Sequence, residues 1–260
     1  MYHRFSVAET IKASWNILKK NYVPLIIYSV LSLIIYKAVD IVTFLFFAES
    51  EETISFFIQF FIQMLVQSYL TLSFYKLILT LMDREYYEFE FKDIVPSFRM
   101  AFNFILIGLA FGVLIAILVF INVVLLRQNE LYSEVFTVIA TLGLLYLLLR
   151  SMFCVCFIID DDSNPVESLV QSFAITKDNF LKTLGVAFSV LGIMLFTFFI
   201  INVVLTLFTS AEGENDYLFE LAYYAWFVIT FPAVQVIIMV TYRKLVYSHM
   251  DVDDDVAETD

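Results

Sequence analysis

The chain has 260 residues, of which 61% are hydrophobic, 18% aromatic and only 16% charged, with a formal net charge of −12. Soluble domains are typically about half apolar and about a quarter charged. A mean hydropathy of +0.86 therefore excludes a water-soluble globule, and the acidic balance argues against nucleic acid as a partner.

Ser6 and Glu9 have the spacing of a capping box, and Val7, Ile11, Trp15 and Leu18 follow as an apolar stripe. We read residues 7–20 as a helix lying on a membrane surface, not as a cleavable leader, because the segment is charged and has no short apolar core. Apolar stretches at about 22–47, 54–82, 102–126, 135–159, 181–208 and 218–247 are each long enough to cross a hydrocarbon core of ~30 Å. Short polar turns separate them, among them Glu49, Glu51 and Glu52, the run Arg127 to Glu134, and an acidic turn before Leu218. Two further surface helices are expected at about 94–101 and 165–178. In the latter, Asn164 is the cap, Pro165 suits the first turn and Glu167 completes a capping box. Val166, Leu169, Val170 and Phe173 form its apolar stripe. Pro232 should kink the sixth span.

The fold class read from this pattern is an all-α polytopic membrane protein with six transmembrane helices in three hairpins. Residues 1–250 form one membrane domain. The tail 251–260, with six acidic residues and no basic one, reads as solvated and disordered rather than as a calcium or partner site. Thirteen of the fifteen Lys and Arg residues fall on the side of the N-terminus, leaving Lys37 and Arg127 nearer the other. By the positive-inside bias, both ends and both long loops are cytoplasmic.

A shift of 158 residues lays Glu9 on Glu167, Ser14 on Ser172, Trp15 on Phe173, Lys19 on Lys177, Asn21 on Asn179 and Tyr22 on Phe180, and a weaker third copy ends at Asn103-Phe104. Three units follow, each a surface helix plus a hairpin. The even-numbered spans each carry a cation seven to ten residues before their cytoplasmic end: Lys76, Arg150 and Arg243. That spacing places them roughly 10–15 Å deep. Snorkelling explains Lys76 and Arg243 adequately. Arg150, the deepest, is the stronger candidate for a buried partner or a ligand phosphate.

Lys37 and Asp40 could pair on one helix face. Asn122, Asn202 and Gln235 are candidates for hydrogen bonds between helices. Asp160, Asp161 and Asp162 read as an interfacial stop and turn. Cys154 and Cys156, two apart, point to different sides of a helix and read as small buried residues. His3 and His249 have no ligand set beside them, so no metal and no cofactor is expected. The spans offer few polar residues for a solute path, and no catalytic constellation is apparent.

Over Arg150 to Leu184 the sequence resembles the membrane domain of glycerophosphoryl diester phosphodiesterases and its stand-alone bacterial relatives. The resemblance is carried by Arg150, Asp160 or Asp161, Pro165-Val166-Glu167, Ser172, Lys177 and Asn179-Phe180. It implies a six-span bacterial inner-membrane protein. In some relatives the module precedes a soluble barrel holding the phosphodiesterase site; here no barrel is expected, and neither is that activity. The expected role is a non-catalytic module organising partner proteins or anionic lipid at the cytoplasmic leaflet, with Lys76, Arg150 and Arg243 converging on a headgroup. A small-solute or ion transporter is the alternative. An intramembrane enzyme is a third reading, should carboxylates share a pocket with Arg150.

Overall fold

The computed structural model describes residues 6–47, 53–83, 91–125, 129–208 and 216–257. All elements among them are helical: α1 (Val7–Lys20), α2 (Tyr22–Phe47), α3 (Thr53–Asp83), α4 (Phe91–Ile94), α5 (Phe98–Phe120) with a π-helical turn at Ile121–Leu125, α6 (Glu130–Arg150), α7 (Cys154–Asp160), α8 (Pro165–Lys177), α9 (Phe180–Phe208) and α10 (Asp216–Ala257). Six stretches are long and apolar enough to span a bilayer: Tyr22–Phe47, Ile54–Asp83, Lys92–Val124, Glu130–Asp160, Phe180–Thr206 and Leu218–Val246. The protein is an all-α, multi-pass integral membrane protein. The acidic turns at residues 49–52 and 211–215, together with His3, Arg4, Arg84 and Arg127, lie outside the described residues.

One packing rule recurs around the bundle. Each short helix lies on the second span of the preceding hairpin: α4 on α3, α8 on α7, and α1 on α10, which closes the ring. The first spans follow suit, with α5 against α3, α9 against α6, and α2 against α10. We call the side carrying α1 and α8 the near side, and the opposite one the far side.

Lipid is as apolar as leucine, so helices in a bilayer associate through close packing and hydrogen bonds more than through burial of grease. The faces that α1 and α8 turn inward fit this logic. They are hydroxyl-bearing: Thr10 and Ser14 on α1, and Ser168, Ser172 and Thr176 on α8, all buried. Thr10, Ser14 and Thr176 return their hydroxyl protons to carbonyls one turn back at 2.7–2.8 Å, leaving short, satisfied side chains at the contact. The apolar residues Val166 and Val170 face outward. Gly185 gives α1 its close approach to α9, since a Cβ there would stand 3.3 Å from Val7 Cγ2.

The core occupies the near half. Leu72, Phe74 and Ile78 of α3, Phe153 just before α7, Cys156 of α7, and Met239 and Tyr242 of α10 meet there. Both cysteines are free thiols.

Several expectations need correction. No separate surface helix covers 94–101. Val95–Ser97 is not helical, because Pro96 disfavours helix at Val95. Ser97 then caps α5 by accepting from the Met100 N–H at 3.2 Å, so the third span begins there. The fourth span is not continuous: it breaks at residues 151–153. Ser6 occupies the cap position of α1, but its side chain makes no capping bond; its carbonyl accepts from Thr10 instead, and water can serve first-turn N–H groups at an exposed helix end. Asn164 does cap α8, accepting from the Glu167 N–H at 2.9 Å and donating to the Glu167 carboxylate at 3.2 Å. The tail is helical as far as Ala257, since extending an existing helix costs far less than starting one. Pro232, where a kink is expected, lies inside α10, which is helical on both sides of it.

Candidate functional site

The Arg150 junction is built around the break in the fourth span. Interrupting a helix at membrane depth frees backbone groups that only protein can satisfy. Here Ser172 of α8 does so with one hydroxyl, donating to the Arg150 carbonyl at 2.7 Å and accepting from the Phe153 N–H at 3.2 Å. Ser151 closes the end of α6, with both its N–H and its hydroxyl on the Leu147 carbonyl. The half-buried Arg150 side chain emerges beside this knot. Its guanidinium lies 5.1 Å from the Phe173 ring and 6.0 Å from the Tyr146 ring, distances at which cation–π attraction acts. Its Nε is buried without a hydrogen-bond partner. Among the described residues no carboxylate pairs with it.

The other two expected cations take partners elsewhere. Lys76 donates to the Val95 carbonyl at 3.1 Å and so anchors the turn before α5. Arg243 pairs with Asp83 at 2.7 Å and ties α10 to α3. Each of the three meets a different element: Lys76 the turn before α5, Arg243 the end of α3, and Arg150 the rings of Phe173 and Tyr146. The aspartate run also divides its labour. Asp160 accepts from the Tyr242 phenol at 2.9 Å. Asp161 ends α7. Asp162 takes a left-handed φ of 51°, which Asp tolerates better than most residues. Burial, and then the charges of Asp160 and Glu167, push the Asp161 carboxyl above the ordinary carboxylate range. Asn103 of α5 donates to the Ser163 carbonyl at 3.2 Å, fixing the loop between α7 and α8.

A second site escaped the sequence reading. Between α2, α3 and α10 lies a cleft of about 390 Å³. Its polar lining comprises Ser32, Tyr36, Lys37, Gln67, Thr71, Tyr223 and Tyr224. Phe227 and Phe231 line it, stacked on each other at 4.9 Å, and the stack continues into the core through Phe231 on Phe74 at 5.1 Å and Phe74 on Tyr28 at 5.0 Å. Tyr28 is pinned by donating to the Leu70 carbonyl at 2.9 Å.

Lys37 and Asp40 do not face each other as a simple pair. The Lys37 ammonium lies 5.0 Å from the Tyr224 ring centre, and Tyr224 in turn donates to the Glu220 carboxylate. Asp40 accepts from Gln63 of α3 at 3.0 Å. The signal that could have revealed the cleft is spacing: Gln63, Gln67 and Thr71 recur every four residues on α3, while Ser29, Ser32, Tyr36 and Asp40 recur every three or four on α2. Of the amides named from sequence, Asn122 bridges to α6, donating to the Ser133 carbonyl at 3.2 Å and to Thr137 at 2.7 Å. Asn202 instead donates to the Phe198 carbonyl of its own helix, and Gln235 Oε1 is buried without a partner.

No family model, no curated protein and no solved structure matches this chain.

Proposed function

We propose that this integral membrane protein is a non-catalytic module of a bacterial inner membrane that holds an anionic lipid headgroup at Arg150 on its near, cytoplasmic side. The observation that carries this reading is the guanidinium itself. It is placed by two aromatic rings, lacks a carboxylate partner among the described residues, and stands next to a backbone knot that fixes its helix end. A phosphate there gains charge-assisted hydrogen bonds from a donor fork that is already oriented. The exposed apolar residues Val166, Val170 and Leu181 beside the junction suit the acyl region below such a headgroup. Lys76 and Arg243 have structural work of their own, so the site uses one cation rather than three. By this reading the resemblance to the phosphodiesterase membrane domain concerns the junction and not catalysis.

Native mass spectrometry of the protein released from lipid provides the test. Arg150→Ala loses most of the copurified anionic lipid and Arg150→Lys keeps part of it. Unchanged lipid content in Arg150→Ala rejects the reading.

The cleft favours a second reading, a small-solute transporter, because repeated units and polar intramembrane clefts often build such sites. In that case a cysteine at Ser29 becomes labelled from the far side during turnover. Persistent protection of that position rejects transport.

A further inference from the structure

We propose that the cleft between α2, α3 and α10 binds a small, uncharged ring compound bearing hydroxyl or carbonyl oxygens. The proposal deepens the transport reading by naming a ligand class, but it requires binding only and is independent of Arg150. Three observations converge on that class.

First, the cleft gathers hydrogen-bonding groups at the depth of the hydrocarbon core. Ser32 sits near the middle of α2, and Gln67 and Thr71 near the middle of α3. Amide and hydroxyl groups that open onto a cleft at this depth are expensive unless water or a ligand serves them. The Ser32 hydroxyl is enclosed beside the Tyr28 phenol with no well-aligned hydrogen bond. Gln67 and Thr71 are one turn apart, about 6 Å along the axis, which suits oxygens on opposite edges of a fused two-ring body.

Second, part of the lining is flat and aromatic. Phe227 and Phe231 both line the cleft and stack on each other within 18° of parallel. Phe231 continues the stack onto Phe74 within 22°. A planar guest extends this column at the ring separations of ~4.5–7 Å that aromatic pairs prefer. The volume of about 390 Å³ lies in the range of small-molecule pockets.

Third, the charges at the mouth are already balanced. Lys37 is the one charged residue among the lining groups. It is engaged by Tyr224 and lies in the fields of Glu220 and Asp40. An anionic guest competes with those two carboxylates, and a cationic guest is repelled by the ammonium. The neutral guest meets neither obstacle and uses the uncharged donors deeper in.

Trp226 reports on the site, because its ring lies 5.9 Å from that of Tyr223, a lining residue. The experiment titrates the full chain, in lipid nanodiscs and carrying Trp15→Phe, with menadione as an uncharged two-ring probe, and follows the fluorescence of Trp226. Saturable quenching is expected, weakened tenfold or more by Gln67→Leu combined with Thr71→Val, and weakened in the same direction by Ser32→Val alone. Naphthalene-2-sulfonate, an anion of similar shape, does not compete. Linear quenching that is identical in all variants means partition into the bilayer only and overturns the proposal, as does displacement of menadione by the sulfonate. Arg150→Ala leaves the curve unchanged, so the lipid reading and this one fail separately. If binding saturates while Ser29 stays protected, only transport falls.

Discussion

On α10, Val236, Met239, Val240, Tyr242 and Leu245 are almost wholly covered, whereas Phe219, Leu221 and Ile229 of the same helix stand open. The same contrast divides the other spans. Near-side α3 is buried from Leu72 to Leu81 apart from a few positions, while its far-side residues Ile54, Phe56 and Phe57 are about two-thirds exposed. α6 has no buried residue. Hydrophobicity alone does not explain the difference, because the exposed far-side residues are as apolar in type as the buried near-side ones. Cross-helix hydrogen bonds occur in both halves, with Asn122 joined to α6 and Trp226 to α9 in the far one. What sets the near half apart is the short, buried hydroxyl faces of α1 and α8 and the side chains that tie them and the span ends together. Ser172, Asn103, Tyr242 and Arg243 each bridge elements there. In lipid these are the features that select one packing over many.

The sharpest way to break the near half is at Ser172. Replacement by alanine leaves the Arg150 carbonyl and the Phe153 N–H without their shared partner. Each buried orphan costs about 1–3 kcal/mol, so Ser172→Ala should lower the melting temperature in detergent more than any other single hydroxyl deletion in the protein. Tyr242→Phe comes next. It removes the bond to Asp160, and hydrogen bonds to charged groups contribute about 1.5–3 kcal/mol; a chemical-denaturation midpoint unchanged from the parent contradicts the account of that contact. Asn164→Ala should cost about 1 kcal/mol through loss of the α8 cap, with Asn164→Ser restoring most of it. In the far half, Leu142→Ala removes a side chain that faces lipid, and its thermal shift should be the smallest of the deletions.

A pH effect sharpens the comparison further. The Asp161 carboxyl is held above its ordinary range by burial and by neighbouring negative charge. The folded state therefore binds that proton more tightly than the unfolded state. Stability from this group is gained as pH falls from its raised value towards the ordinary carboxylate range, and the ionised form carries a small cost at neutral pH. Asp161→Asn should raise the melting temperature slightly at pH 7, with the advantage gone once the parent carboxyl is protonated.

Much of this architecture is legible in the sequence. The limits of α1 and α2 follow directly from the Asn21-Tyr22 boundary and the continuous apolar run after it. The cap at Asn164 is equally plain. The break at Ser151 is not, because the residues from Leu147 to Ile159 stay almost uniformly apolar. What makes the break stable is a hydroxyl some twenty positions later, and local pattern cannot report that. Pro96 did carry a readable signal, and Ser97 behind it is an ordinary helix cap. The cleft was hidden for a different reason. Each span contributes only a few polar residues, sparse enough to pass as isolated, and only the mutual rotation of α2, α3 and α10 turns them towards one space.

The most direct test of the six-span, near-and-far description is labelling of single cysteines in intact cells with a membrane-impermeant maleimide. The native Cys154 and Cys156 are buried and should stay silent. Glu130→Cys on the far side should react from outside, and Asp178→Cys on the near side should react only after lysis. Reaction of Asp178→Cys in intact cells, or protection of Glu130→Cys, contradicts the account.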